Sequence, residues 1–243
     1  MANLLLSSAS EIIIRARTLE TDGKLTQSLV CYEEGIGLLL KCLKCSIDPK
    51  LKSSLKEKIE SYMSRAENVK QSIKQKQKDG KFHEHFDINE DDIGFGYHRL
   101  FNRFLEEGNV TVVNIDDPYI RNSFQIENFS HFCEVIVASP SPVQQIFLQT
   151  GSDSDKYHEQ VKKFEILRED LKRHKVDFTW AFSTSLHDRR IRFNNGWVLK
   201  IGRGLDYIKN NPNKFVGLGV HNFDFRPCRQ TTVDIFYEGS PSV

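Results

Sequence analysis

The segment HDRRIRFNNGWVLKIGRGLDY (residues 187–207) places a reverse turn between two runs of strand formers. Asn195-Gly196 separates RIRF from WVLKI, and a type I′ turn, which needs positive φ at both central residues, favours that dipeptide. With a two-residue loop there, Phe193 opposes Val198 and Ile191 opposes Lys200. Side chains alternate along a strand, so the same face also carries His187 and Arg189. The sequence therefore predicts an antiparallel hairpin with a histidine, an arginine and a lysine on one face.

Upstream of the hairpin, strand and helix patterns alternate. VTVVNI (110–115) is a buried-strand run that stops at Asp116-Asp117-Pro118; VQQIFLQT (143–150) and DFTWAFSTS (177–185) are two more strands. Helical spacing fills 123–138 and 155–174 between them. Such alternation predicts an α/β domain with an at least partly parallel sheet.

The first 78 residues have no strand-like alternation. Leu5, Ala9, Ile12, Ala16 and Leu19 step by threes and fours, as do Leu25, Leu29, Tyr32, Ile36, Leu39 and Leu43. After Asp48-Pro49, where proline can open a helix, Leu55, Ile59, Tyr62, Ala66, Val69 and Ile73 repeat the pattern. These stripes predict an all-α antiparallel three-helix bundle over residues 1–78. A charged linker is expected at 79–93 and the α/β domain at 94–243. Basic KQKQKDGK (74–81) extends the third helix, and acidic EHFDINEDD (84–92) either remains a solvated connector or caps and shields another group.

With 34 Lys and Arg against 33 Asp and Glu, affinity for an acidic partner must come from local clusters. No basic, apolar leader and no membrane-length apolar run is found, so the chain is expected to be cytoplasmic. Five scattered cysteines fit reduced thiols. Cys42-x-x-Cys45 lacks the second ligand pair that structural zinc needs, and no metal or cofactor is expected. Asp116 and Asp117 end a strand where α/β domains place their sites, as a metal pair or as partners for Arg189.

On the third helix, Met63 and Glu67 stand four apart, one position beyond the core pair Tyr62 and Ala66. They are either peripheral core beside a solvated charge, or a row facing a groove that takes a partner helix bearing Leu and Arg. KLTQSLVCYEEGIGLLLKCLK followed by LKEKIESYMSRAENVKQSI, and Tyr62-Met63-x-Arg65-Ala66-Glu67 above all, resembles an MIT domain. That resemblance implies binding of C-terminal helices of ESCRT-III subunits (charged multivesicular body proteins) between helices 2 and 3. Glu60, Tyr62, Met63 and Glu67 would form the tail-binding set.

In the hairpin, His187, Arg189 and Asn194 stand as H-x-R-x4-N, which resembles a degenerate H-x-K-x4-D motif of the phospholipase D superfamily. Imidazole can attack phosphorus while fixed cations stabilise the oxyanions, but Asn194 cannot supply the carboxylate charge. No catalytic residue is therefore assigned; the alternative is a single-motif phosphodiesterase or nuclease active as a dimer. With YHRLFNRFL (97–105), IDDPYIR (115–121) and FDFRPCRQTTVDIF (223–236), nearly the whole chain is similar to the family joining an N-terminal MIT domain to a C-terminal phospholipase-D-like domain. That likeness implies binding to phosphoinositide-bearing, acidic phospholipid membrane and dimerisation through the C-terminal domain. It also implies action in abscission at the end of cytokinesis, at the late endosome membrane and midbody.

His187, Arg189, Arg190, Arg192, Lys200 and Arg203 are the expected phosphate and membrane ligands. With Lys209, against Asp188 and Asp206, the segment 187–209 carries a local excess of four positive charges. Lys162, Lys163, Arg168, Lys172 and Arg173 either widen that patch or, among Glu159, Glu165, Glu169 and Asp170, form a solvated helix face. No nucleic-acid partner is expected, although an arginine meets lipid and DNA phosphodiesters alike.

Overall fold

The three apolar stripes form three helices, α1 (Ala2–Thr21), α2 (Leu25–Cys45) and α3 (Pro49–Lys78). A computed structural model describes residues 2–106, 108–153, 155–211, 213 and 216–239, so the outer ends of the two expected domains, residues 1 and 243, lie outside it. The chain divides into two compact units, Met1–Glu84 and His85–Val243. In the first, Gly23 supplies the positive φ (75°) of the α1–α2 turn. Asp48 caps α3 by accepting from the Lys50 amide at 3.0 Å, with Pro49 in the first turn.

The bundle core is made of Ala9, Ile13, Ala16, Tyr32, Ile36, Leu39, Leu55, Ile59 and Val69, with Ile13 more deeply buried than Ile12. One polar junction ties the helices together. Glu20 of α1 accepts from the Tyr32 hydroxyl of α2 at 2.7 Å and from Arg65 Nε of α3 at 2.7 Å. Burial pushes Glu20 upward, but the bonds from Arg65 and Tyr32 outweigh it and leave its pKa below the ordinary value. Burial, with Glu20 alongside, pushes the Tyr32 hydroxyl up to about 12. At the start of α2, the buried Glu84 carboxylate accepts from the Thr26 amide and hydroxyl, both at 2.8 Å, and so satisfies a free helix N–H.

The stretch 79–93, expected as a linker, is built differently: His83–Ile88 is strand β1. Glu84, Phe86 and Ile88 alternate inward between exposed His83, His85 and Asp87, the period of a strand with one buried face. Further along, α4 (Tyr97–Leu105), β2 (Val112–Asp116), α5 (Ser123–Ala138), β3 (Gln145–Thr150), α6 (Tyr157–Arg173) and β4 (Asp177–Phe182) precede the hairpin. The hairpin is β5 (Arg190–Phe193) and β6 (Trp197–Ile201), and β7 (Thr231–Tyr237) closes the series.

The seven strands form one sheet in the order β1-β7-β6-β5-β2-β3-β4. β2, β3 and β4 pair in parallel, while β5 runs antiparallel to β2, β6 to β5 and β7 to β6. Within this unit α4, α5 and α6 cover one face. Phe104 of α4 stacks on Phe193, Phe129 of α5 meets Phe178 at a tilt, and Phe164 of α6 meets Phe178 edge to face. The register Phe193–Val113–Ile146–Phe178 is one continuous buried row under them. The opposite face carries Asn114, Asp116, Arg190, Arg192 and Lys200. Among the described residues no helix is long and apolar enough to cross a membrane.

The hairpin register differs from the expected one by one residue. Arg190 opposes Lys200, Ile191 opposes Leu199 and Arg192 opposes Val198, leaving Asn194-Asn195-Gly196 as a three-residue loop with Gly196 at φ 97°. Tertiary bonds select it: Asn195 Nδ2 donates to the Phe104 carbonyl at 3.0 Å, and Asn194 Oδ1 accepts from the Thr111 and Val112 amides. The face of Lys200 therefore carries Arg190 and Arg192, not the expected His187 and Arg189, which precede β5.

Arg65→Ala and Tyr32→Phe should each lower bundle stability by about 1 kcal/mol, and their effects should overlap because they share Glu20. On a Glu20→Gln background both losses should shrink, as measured by urea unfolding followed by far-UV circular dichroism. Since the folded Glu20 pKa is lowered, its contribution is present above the unfolded carboxylate value and lost as pH falls through the folded one.

Candidate functional sites on the bundle and the sheet

On α3, residues 60, 63 and 67 lie on one stripe of the helix surface. Glu60 and Glu67 are exposed, and Met63 between them is 54% exposed, one of several large apolar side chains, with Ile14 and Ile47, that the bundle leaves in solvent. Tyr62 is half-buried and sits one position round toward the core, so the stripe brings together three of the four expected residues. Arg65, on the other side of Met63, is committed to Glu20. Sequence reasoning missed that role, because periodicity gives no partner for a polar residue beside a core stripe.

The second group lies at the carboxyl end of β2, where the parallel half of the sheet meets the antiparallel half. Asp117 is buried there; its Oδ1 accepts from the Tyr119 amide at 3.0 Å and its Oδ2 from the Leu205 amide at 3.3 Å. Arg189 Nε lies 3.9 Å from Asp117, its guanidinium covers the Tyr119 ring at 4.1 Å, and it donates to the Gly202 carbonyl. Gly204 sits at φ 58°, and a Cβ there would meet Asp117 Oδ2 at 1.9 Å. Gly204 of KIGRGLDY thus lets the chain close over an aspartate. Burial pushes the Asp117 carboxyl up to about 6 against the opposing pull of the Tyr119 amide and Arg189.

The other cations are distributed unevenly. Arg192 pairs with Asp116 at 2.9 Å, and Arg190 pairs with Asp188. Lys209 is held by Glu90 and Asp91. Lys200 is exposed, with its ammonium 5.4 Å from the Phe236 ring centroid. Arg203 is exposed and donates through Nε to the Gln230 carbonyl. Asp116, Asp117, Glu90 and Asp91, all distant in sequence, therefore take up three of the segment's cations, Arg192, Arg189 and Lys209. On α6, Lys163–Glu159, Arg168–Glu165 and Arg173–Asp170 pair along the helix, as a solvated face does.

His187 is exposed on the segment before β5, whereas Asn194 lies beyond the other end of that strand. Asn194 bonds Thr111 and Val112 through both ends of its amide. The elements of H-x-R-x4-N are not gathered around a common point. Among the described residues no group of three or more His, Cys, Asp or Glu is placed to hold a metal ion, and Cys42 is buried while Cys45 is exposed.

Residues 6–71 match the MIT (microtubule interacting and transport) domain, and residues 94–237 match the phospholipase D-like domain at the C-terminus of MIT. The chain is also 43% identical to mouse MIT domain-containing protein 1, over 95% of its own length and 92% of that protein. The chain belongs to the family of MIT proteins with a C-terminal phospholipase D-like domain. Its MIT domain is the bundle that presents Met63, and its phospholipase D-like domain is the sheet unit closed by Asp117 and Arg189.

Because the folded pKa of Asp117 is raised from 3.8 to about 6, the folded phospholipase D-like domain takes up this proton before the unfolded chain does. The destabilisation from the buried charge therefore grows as pH rises from about 4 to about 6, reaching on the order of 3 kcal/mol. Asp117→Asn should remove that part of the pH dependence, seen as a flatter plot of urea midpoint against pH. Gly204→Ala should lower stability by about 2 kcal/mol or more at neutral pH, since the pinned carboxylate cannot give way.

Proposed function

We propose that the protein is a non-catalytic adaptor. Its MIT domain binds the C-terminal helical motifs of ESCRT-III subunits, and its phospholipase D-like domain binds acidic, phosphoinositide-bearing membrane. The observation that carries this is Met63, a large apolar side chain left in solvent between Glu60 and Glu67 on a bundle whose own core is complete without it. A soft thioether accepts leucines of varied shape, and the two carboxylates favour a partner helix with basic residues beside them. Such contacts are individually weak, and joining them to membrane contacts on the same chain raises avidity through effective concentration.

On the sheet unit, exposed Lys200 and Arg203, with half-exposed Arg190 and Arg192, support the membrane half of this proposal. Arg189 is closed in by Asp117, Tyr119 and Gly202, and acts as scaffold. The commitment of Asn194 to β2, away from His187, supports the absence of catalysis. The working form is a homodimer through the C-terminal domain, peripheral on the cytoplasmic side of late endosomes and at the midbody, acting in abscission.

Met63→Asp should weaken binding of an ESCRT-III C-terminal helical peptide about tenfold or more by titration calorimetry, with helical content unchanged. Unchanged affinity would remove Met63 from the site. Lys200→Ala with Arg203→Ala should reduce co-sedimentation of the full chain with phosphoinositide-bearing vesicles, at about 1 kcal/mol per cation. Phosphodiester turnover that disappears in His187→Ala would overturn the non-catalytic assignment.

A further inference from the structure

Between the 3-10 turns Gly204–Tyr207 and Phe223–Phe225, a loop carries side chains that neither the fold nor the cation cluster uses. From Ile208 to Phe223 the sequence is IKNNPNKFVGLGVHNF, with no Asp or Glu. Val216 is 73% and Leu218 81% exposed. Gly217 between them lies at φ 107°, and a Cβ added there would meet nothing within 4 Å, so this tip stands clear of the protein.

The base of the loop is held firmly. Ile208 bridges Cys228, the Lys209 amide donates to the Pro227 carbonyl at 2.9 Å, and the Arg229 amide donates to the Tyr207 carbonyl at 2.7 Å. Gly219 is buried, and its carbonyl accepts from Arg226 Nε at 2.6 Å. The Arg226 side chain is only 5% exposed and lies 3.8 Å over the Phe223 ring. An otherwise unusual buried arginine therefore pins the returning limb, so that Val216 and Leu218 are presented from a fixed neck.

We propose that Val216 and Leu218 insert into the acyl region of an anionic bilayer, as the apolar half of the membrane contact. This rests on the phospholipase D-like domain being the membrane-binding half of the protein. Val216 and Leu218, on either side of Gly217, by themselves offer far less than the roughly 800 Å² per partner of a stable protein interface. A fluid acyl layer requires no matching shape and rewards each aliphatic group on its own. The sequence from Ile208 to Phe223 has no carboxylate of its own, and with Lys209 held at the base by Glu90 and Asp91, Lys214 and His221 are the groups it offers an anionic headgroup layer. Because most arginines of the hairpin are paired internally, an apolar contribution is also what this membrane contact needs.

The test uses the full chain with vesicles of phosphatidylcholine containing phosphatidylserine. Leu218→Trp should gain blue-shifted emission relative to wild type on adding vesicles, quenched by brominated acyl chains. Val216→Asp with Leu218→Asp should lower co-sedimentation about tenfold or more with the unfolding midpoint unchanged, since both sites are exposed. If wild type sediments but the Trp emission does not shift, or the double variant sediments equally well, insertion is overturned while membrane binding stands. A change in the oligomeric state of the double variant without lipid would assign the tip to a second copy of the chain and overturn insertion. If wild type does not sediment with these vesicles or with phosphoinositide-bearing ones, insertion and membrane binding fail together.

Discussion

The sheet unit depends on one buried carboxylate. Asp117 sits where a strand of the parallel half ends beside the antiparallel hairpin, and its two oxygens hold the Tyr119 and Leu205 amides. Burying a carboxylate is unfavourable, and the two amides and Arg189 offset only part of that cost, so the Asp117 pKa stays raised. The consequences spread outward from it. Gly204 must be glycine, Arg189 must fold back over Tyr119, and the segment before β5 is thereby fixed. The cations available to a partner are those this constraint leaves over, Lys200 and Arg203 foremost.

The MIT bundle separates structure from recognition in a similar way. Arg65 and Met63 are two residues apart on α3, so they point to different sides of the helix. One is spent on the Glu20–Tyr32 junction; the other remains in solvent beside two carboxylates. A partner helix docked along the Glu60–Met63–Glu67 stripe, as proposed, would leave untouched the bond that holds the three helices together.

The helices were the most legible part of the chain. Their periods were unbroken, and α5 carries a complete capping box, Asn122 with Gln125, at the position where its pattern starts. The parallel strands were legible from short runs of β-branched and aromatic residues. Strand β1 was obscured because histidine and acidic residues occupy its exposed face, and composition outweighed the alternation of Phe82, Glu84, Phe86 and Ile88. Helix α4 and strand β7 are not among the elements the sequence predicts, although TTVDIFY alternates plainly. The hairpin shows the limit of local turn chemistry: Asn-Gly favours a two-residue loop, but Asn194 and Asn195 bond to segments more than 80 positions away and move the register by one. Local charge counting failed for the same reason. The carboxylates on Arg189 and Arg192 come from β2 and the segment just after it, and those on Lys209 from beyond β1.

The proposed function joins the two units by simultaneous engagement of two partners. The decisive measurement is recruitment of a fluorescent ESCRT-III C-terminal helical peptide to phosphoinositide-bearing vesicles by the intact chain. The peptide should move to the vesicles only when the full chain is present, with an equimixture of the separate MIT and phospholipase D-like domains failing to carry it. Peptide and vesicles that each bind the chain but displace one another, or a peptide that stays in solution while the chain sediments, would contradict an adaptor.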